Sequence, residues 1–133
     1  MHKKKILLAD DDDDDRTIFK DFLRNRKDIV ILPFAKNGVE VIELLEAATD
    51  IEYYPDIIIL DHNMPKMNGK QTLQWLKSSK KYKSITVFIY TTYVDTSLME
   101  QCNKLGAAMV TSKPTTRKGY EQMIDECLKL LPA

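Results

Sequence analysis

Cysteine is nearly absent: Cys102 and Cys127 are the two thiols in 133 residues. Two are too few for a disulfide framework, and they sit in no metal-type spacing. They read as buried packing residues in a reducing compartment. No apolar run approaches the ~20 residues that a membrane span requires. The start, Met1-His2-Lys3-Lys4-Lys5, is basic, but Ile6-Leu7-Leu8-Ala9 is too short for the core of a signal peptide and runs straight into acid. A cytoplasmic location is expected, with no membrane partner. An excess of one charge is missing too, since 20 Lys and Arg balance 20 Asp and Glu. A general nucleic-acid binder needs a basic excess to displace phosphate counterions, so nucleic acid is not an expected partner. Repeats, linkers and low-complexity tails are also lacking.

What remains fits one domain of ordinary globular composition, 44% apolar and 30% charged, long enough to bury a real core. The balanced charge is unevenly placed, for Asp10 to Asp15 gathers six of the 20 acids into one run. Such a run is most often a solvated patch. Here it follows an apolar strand candidate directly, so its first two members are candidates for chemistry. The later ones suit an N-cap and a first helical turn, where the helix dipole favours acids. Asp13 to Asp15 are read as structural.

Apolar runs alternate with helical patterns along the chain. Strand candidates are Ile6–Ala9, Ile29–Leu32, Ile57–Leu60 flanked by Asp56 and Asp61, Ile85–Tyr90, and Met109–Thr111. Between them, Ile18, Phe19, Phe22 and Leu23 mark one helical stripe, with Arg16 and Lys20 elsewhere on that helix. Val41, Ile42, Leu45 and Ala48 mark a second, and Leu73, Trp75 and Leu76 a short third. Leu98, Met99, Cys102 and Leu105 give a fourth, stopped at Gly106, and Tyr120 to Leu131 carries a fifth. Five βα units force crossover connections, hence a five-stranded parallel sheet covered on both faces.

Ligands of doubly wound sheets sit beyond the carboxyl ends of the strands. Those ends carry Asp10 and Asp11, then Asp61, Thr91 and Lys113. Converging carboxylates repel unless a cation binds or a proton stays on, and all-oxygen donors suit Mg²⁺ or Mn²⁺. A hard cation, a hydroxyl (Thr91) and an ammonium (Lys113) together could neutralise a transferring phosphoryl group. Asp61, ending the central strand, is the best-placed nucleophile for an aspartyl phosphate. Alone, Asp61 could merely cap the turn at Met64-Pro65, and Thr91 or Lys113 would say little. His62, a lone loop histidine, is read as a surface residue; the methionines and Trp75 are read as core or groove filling.

With these residues in order, the sequence resembles the receiver domains of two-component response regulators. The motifs are Ile6-Leu7-Leu8-Ala9-Asp10-Asp11-Asp12, Asp56-Ile57-Ile58-Ile59-Leu60-Asp61 with Met64-Pro65 and Asn68-Gly69, Tyr90-Thr91-Thr92, and Thr111-Ser112-Lys113-Pro114. The resemblance runs from about Lys4 to Leu131 and implies a flavodoxin-like (βα)5 fold. It implies Asp61 as phosphoacceptor, Asp10 and Asp11 organising Mg²⁺ or Mn²⁺ together with Asp61, and the Asn63 backbone carbonyl completing the ligands. Thr91 and Lys113 would bond phosphoryl oxygens, and a cis peptide is implied before Pro114. The phosphodonor would be a histidine kinase or a histidine phosphotransfer protein, and output would pass to a partner protein. The chain is expected to be a single receiver domain over 1–133 without an output domain, and no enzyme beyond its own phosphorylation and dephosphorylation.

Two positions depart from the family pattern. Val110 stands where a switch aromatic is usual, so a muted response is expected on the surface formed by the fourth helix, fifth strand and fifth helix. Tyr90 and Tyr93 are the aromatics nearest Thr91 that could carry part of the relay. Thr92 is larger than the usual Ala, Gly or Ser and bears on rates. Two other classes fit less well. A phosphatase working through an aspartyl phosphate wants a general acid two residues after the nucleophile, where this chain has Asn63. A flavin carrier wants a Ser/Thr/Gly-rich phosphate loop where this chain has aspartates.

Overall fold

The computed structural model describes residues 2–132. Its elements follow one another as β1 (Lys4–Ala9), α1 (Asp13–Leu23), β2 (Ile29–Ile31), α2 (Gly38–Ala47), a 3₁₀ turn (Ile51–Tyr53), β3 (Ile57–Asp61), α3 (Gly69–Ser78), β4 (Thr86–Thr91), α4 (Thr96–Leu105), β5 (Met109–Ser112) and α5 (Arg117–Lys129). The strands form one sheet in the order β2-β1-β3-β4-β5, and every pairing is parallel. The order reverses between β1 and β3, which opens a crevice at their carboxyl ends.

Alternation along each strand divides the core in two. Leu7, Ile58, Leu60, Val87, Ile89 and Val110 pack on one face, against Val41, Leu45, Leu73, Leu76 and Cys102 of α2, α3 and α4. Ile6, Leu8, Ile57, Ile59, Phe88 and Tyr90 pack on the other, against Phe19, Leu23, Tyr120, Met123, Ile124 and Cys127 of α1 and α5. All five residues of β3 are buried, as expected of a central strand with helices on both sides. Each fully buried Ile or Leu contributes roughly 1.5–3 kcal/mol.

Polar residues set the helix boundaries. Asp12, Asn37, Asn68, Asp95 and Thr116 each accept backbone N–H groups as N-caps, and Asn68 with Gln71 forms a capping box. Gly106 ends α4 at φ 105°, a left-handed conformation that glycine adopts without penalty. Cys102 and Cys127 are buried free thiols.

Three expectations need correction. The buried stripe of α1 is Arg16, Phe19 and Leu23, while Ile18 is 37% exposed. Arg16 takes a place on the buried face because its Nη1 finds the Asp10 carbonyl at 2.8 Å. On α4 the buried residue is Cys102, and Met99 lies 38% exposed. No peptide bond among the described residues is cis, so Lys113–Pro114 is trans, the isomer favoured for X–Pro by roughly 0.5–1 kcal/mol.

Gly69 opens α3 where the chain returns against the end of β3. A Cβ there would lie 2.7 Å from the Asp61 carbonyl oxygen and 2.8 Å from His62 Cα. Both neighbours are backbone, so neither can rotate away. Gly69→Ala should therefore lower stability by about 1–3 kcal/mol in urea unfolding; a variant with the parent's midpoint and slope would show that this contact yields without strain.

Candidate functional site

Asp10 follows β1, Asp61 and Thr91 end β3 and β4, and Lys113 follows β5, so parallel pairing delivers all four to one end of the sheet. The ends are tied laterally. His62 N–H donates to the Tyr90 carbonyl at 3.2 Å and Lys113 N–H to the Thr91 carbonyl at 2.8 Å. Asp10, Asp61 and Thr91 are buried, whereas Asp11 faces solvent. Carboxylate oxygens of Asp10, Asp11 and Asp61 lie within 4.8 Å of one another. That cluster of hard oxygen donors fits a small divalent cation.

The Lys113 ammonium lies 2.8 Å from Asp15 Oδ2, 3.1 Å from Asp10 Oδ2 and 3.3 Å from Asp61 Oδ2. Burial works against its charge, but the hydrogen bond to Asp15 and the charges of Asp10 and Asp61 prevail and hold its pKa above the ordinary lysine value. The opposite balance holds at Asp61. Burial, reinforced by the charge of Asp10 and opposed by Lys113, pushes its carboxyl up to about 7. Tyr90, wholly buried, donates its hydroxyl to Asp10 Oδ2 at 2.5 Å. Burial first, and the Asp10 charge next, keep that phenol protonated well above the usual range.

Asn63 is held at both ends. Its backbone N–H donates to Asp61 Oδ1 at 3.2 Å, and its side-chain amide donates to Thr91 Oγ1 at 3.4 Å. In the loop that follows, Lys66 adopts φ 66°, a left-handed conformation that costs a non-glycine residue energy.

The structure thus brings Asp10, Asp11, Asp61, Asn63, Thr91 and Lys113 to one crevice. Sequence reasoning missed three neighbours. Asp15, read as structural, contacts Lys113 directly. Arg16, placed on the outer side of α1, is buried against the Asp10 carbonyl. Tyr90 was weighed as a relay and not as a partner of Asp10. Its signal was available, since a tyrosine buried at a strand end needs a partner for its hydroxyl. His62 is half-buried, not a surface residue, with Nδ1 enclosed and without a hydrogen-bond partner.

Several known proteins are similar to this chain. The family model described as response regulator receiver domain matches residues 6–125. A protein-glutamate methylesterase/protein-glutamine glutaminase of Clostridium acetobutylicum is 31% identical over 129 residues, 97% of this chain and 36% of that protein. The nitrate/nitrite response regulator protein NarL of Escherichia coli K12 is 41% identical over 73 residues, 55% of this chain and 32% of that protein. The chain spans about a third of the length of the curated relatives it matches. Among solved structures, the phosphorylated cyanobacterial phytochrome response regulator RcpA shares the fold, with a TM-score of 0.82 at 23% identity over 99% of this chain and 100% of that one. The Mn²⁺-bound form of response regulator Rcp1 superposes with a TM-score of 0.79 at 25% identity, over 98% of this chain and 99% of that one.

The raised Asp61 carboxyl makes stability depend on pH. An aspartate in the unfolded chain ionises near 3.9, and Asp61 in the folded domain near 7. Between these values the folded state holds the extra proton, so this group's contribution falls as pH rises from about 4 to 7, with the full penalty above 7. In metal-free buffer, Asp61→Asn should melt above the parent at pH 7.5 by several degrees, roughly 3–10 °C, and the gap should close toward pH 4. Thermal melts across that range decide it; a gap that ignores pH would mean that Asp61 ionises normally.

Proposed function

Because the chain belongs to the response regulator receiver domain family, we propose that Asp61 is its phosphoacceptor, charged by a histidine kinase or a histidine phosphotransfer protein. The observation that carries this reading is the Lys113 ammonium shared among Asp10, Asp15 and Asp61. A cation already seated against the acceptor carboxylate can follow negative charge as it arrives there.

Asp61 supplies an ionised oxygen that attacks phosphorus. An O–P bond forms as the donor's N–P bond breaks, and the electron pair leaves with the imidazole nitrogen, which takes up a proton. Lys113 exchanges part of its pairing with the three carboxylates for a phosphoryl oxygen. Thr91 donates its hydroxyl to another, a proton that Asn63 leaves free by donating to, and not accepting from, Thr91 Oγ1. Asp10, Asp11, Asp61 and the Asn63 backbone carbonyl would hold Mg²⁺ or Mn²⁺, which would supply positive charge for the phosphoryl oxygens. The chain's catalysis is confined to its own phosphorylation and dephosphorylation, and the signal goes to a partner protein. Among the described residues no helix is long and apolar enough to cross a membrane, which accords with a cytoplasmic setting.

Incubation with acetyl phosphate and Mg²⁺ should add one phosphoryl mass, located on Asp61 by peptide mapping. Chelation should abolish it, and Asp61→Asn gaining the same mass at the same rate would sink the reading. Millimolar Mg²⁺ should raise the parent's melting temperature because it binds the native state only, and Asp11→Ala should lose that gain.

Val110 is buried on the α2–α4 side of the sheet, in one cluster with Ile89 and Cys102. Its β-branched side chain has one stiff χ1 and no ring to swing. Amide NMR with and without beryllofluoride should therefore show shifts clustered at residues 61–68 and 90–96. Large shifts spread evenly over residues 98–128 would contradict this.

A further inference from the structure

One fully buried polar group is not used by the chemistry above: the Tyr90 hydroxyl. Its ring lies in a core cluster with Ile6, Leu8, Phe88 and Tyr120, yet its oxygen reaches Asp10 Oδ2 at 2.5 Å. The Lys113 Nζ stands 5.1 Å from the centroid of the same ring. Tyr90 therefore meets the acid pocket twice, by its hydroxyl on a carboxylate and by its ring near the ammonium.

Asp10 is wholly enclosed, and its carboxylate is held by three donors from three parts of the chain. The Asp12 N–H takes Oδ1 at 3.0 Å, while Tyr90 and Lys113 share Oδ2. A buried carboxylate is costly to leave without donors, and one of these three is the residue that must turn toward an incoming phosphoryl group. Asp12 and Tyr90 are the donors that stay. Hydrogen bonds to a ligating carboxylate fix its orientation, and losing such a partner lowers metal affinity by 10–100-fold.

Resting on the phosphoacceptor reading above, we propose that Tyr90 is a positioning residue of the acid pocket. Its hydroxyl anchors Asp10 in the orientation that serves a divalent cation and so frees Lys113 to move to the phosphoryl group. The residue acts through Asp10 and Lys113 and touches no reacting atom.

Tyr90→Phe removes the hydroxyl and leaves the ring in the core. Calorimetric titration with Mn²⁺ should show about tenfold weaker binding than the parent. Phosphorylation by acetyl phosphate should need correspondingly more Mg²⁺ for half its maximal rate, with the rate at saturating Mg²⁺ within about twofold of the parent. Tyr120→Phe, a hydroxyl deletion in the same cluster, should leave both midpoints unchanged. In the parent itself, proton NMR should show a slowly exchanging tyrosine hydroxyl that shifts when Mg²⁺ is added, a readout independent of how the variant folds. Parent-like metal midpoints in Tyr90→Phe, an equal loss in Tyr120→Phe, or a hydroxyl proton indifferent to Mg²⁺ would each overturn the role of Tyr90. Failure of the parent to bind Mn²⁺ would instead overturn the underlying reading of the site, and the role of Tyr90 with it.

Discussion

The geometry of the crevice rests on one ion pairing: the ammonium of Lys113 among the carboxylates of Asp10, Asp15 and Asp61. A parallel sheet with its order reversed between β1 and β3 necessarily directs several strand ends into one crevice, and this chain ends two of them in acid. Without a positive charge there, the buried Asp10 and Asp61 would face each other across a poorly solvated gap, where repulsion is far stronger than in water. Lys113 opposes that repulsion, but burial first and the Asp10 charge next still push the Asp61 carboxyl up to about 7. The pocket is thus held together by an ammonium shared among three carboxylates, a charge that the proposed function would redirect.

Much of this was legible in the sequence because it rests on short-range pattern. Five apolar runs, each followed by a helical stripe, marked out the sheet; the later acids of the Asp10 to Asp15 run marked the start of α1; and position at the strand ends identified Asp10, Asp61, Thr91 and Lys113 as neighbours. What escaped was decided by tertiary contact. Asp15 has the ordinary look of a first-turn acid, and nothing local says that Lys113, ninety-eight residues away, will lie 2.8 Å from it. Arg16 looked like a solvent-facing cation until its guanidinium was seen bonded to the Asp10 carbonyl. With Arg16, Phe19 and Leu23 on the buried face, Ile18 is left partly in solvent.

The 3₁₀ turn at Ile51–Tyr53 and the trans bond before Pro114 escaped for local reasons. The turn has no periodicity to announce it, being a single tight turn capped by Asp50. The isomer was inferred from family resemblance and had no local sequence signal of its own.

Alternation along β4 has a further consequence. Phe88 and Tyr90 belong to the face covered by α1 and α5, Val87 and Ile89 to the face covered by α2, α3 and α4, and Thr91 continues the second set. Tyr90 and Thr91 are therefore consecutive residues with opposite allegiances, each with a hydroxyl at the same crevice. The crevice is therefore bordered by both cores at once, through two neighbouring residues of one strand. On the α2–α4 side the small Val110 packs close to this strand, and on the α1 and α5 side the full ring of Tyr90 does, so the two faces of the sheet meet the crevice with side chains of unequal bulk.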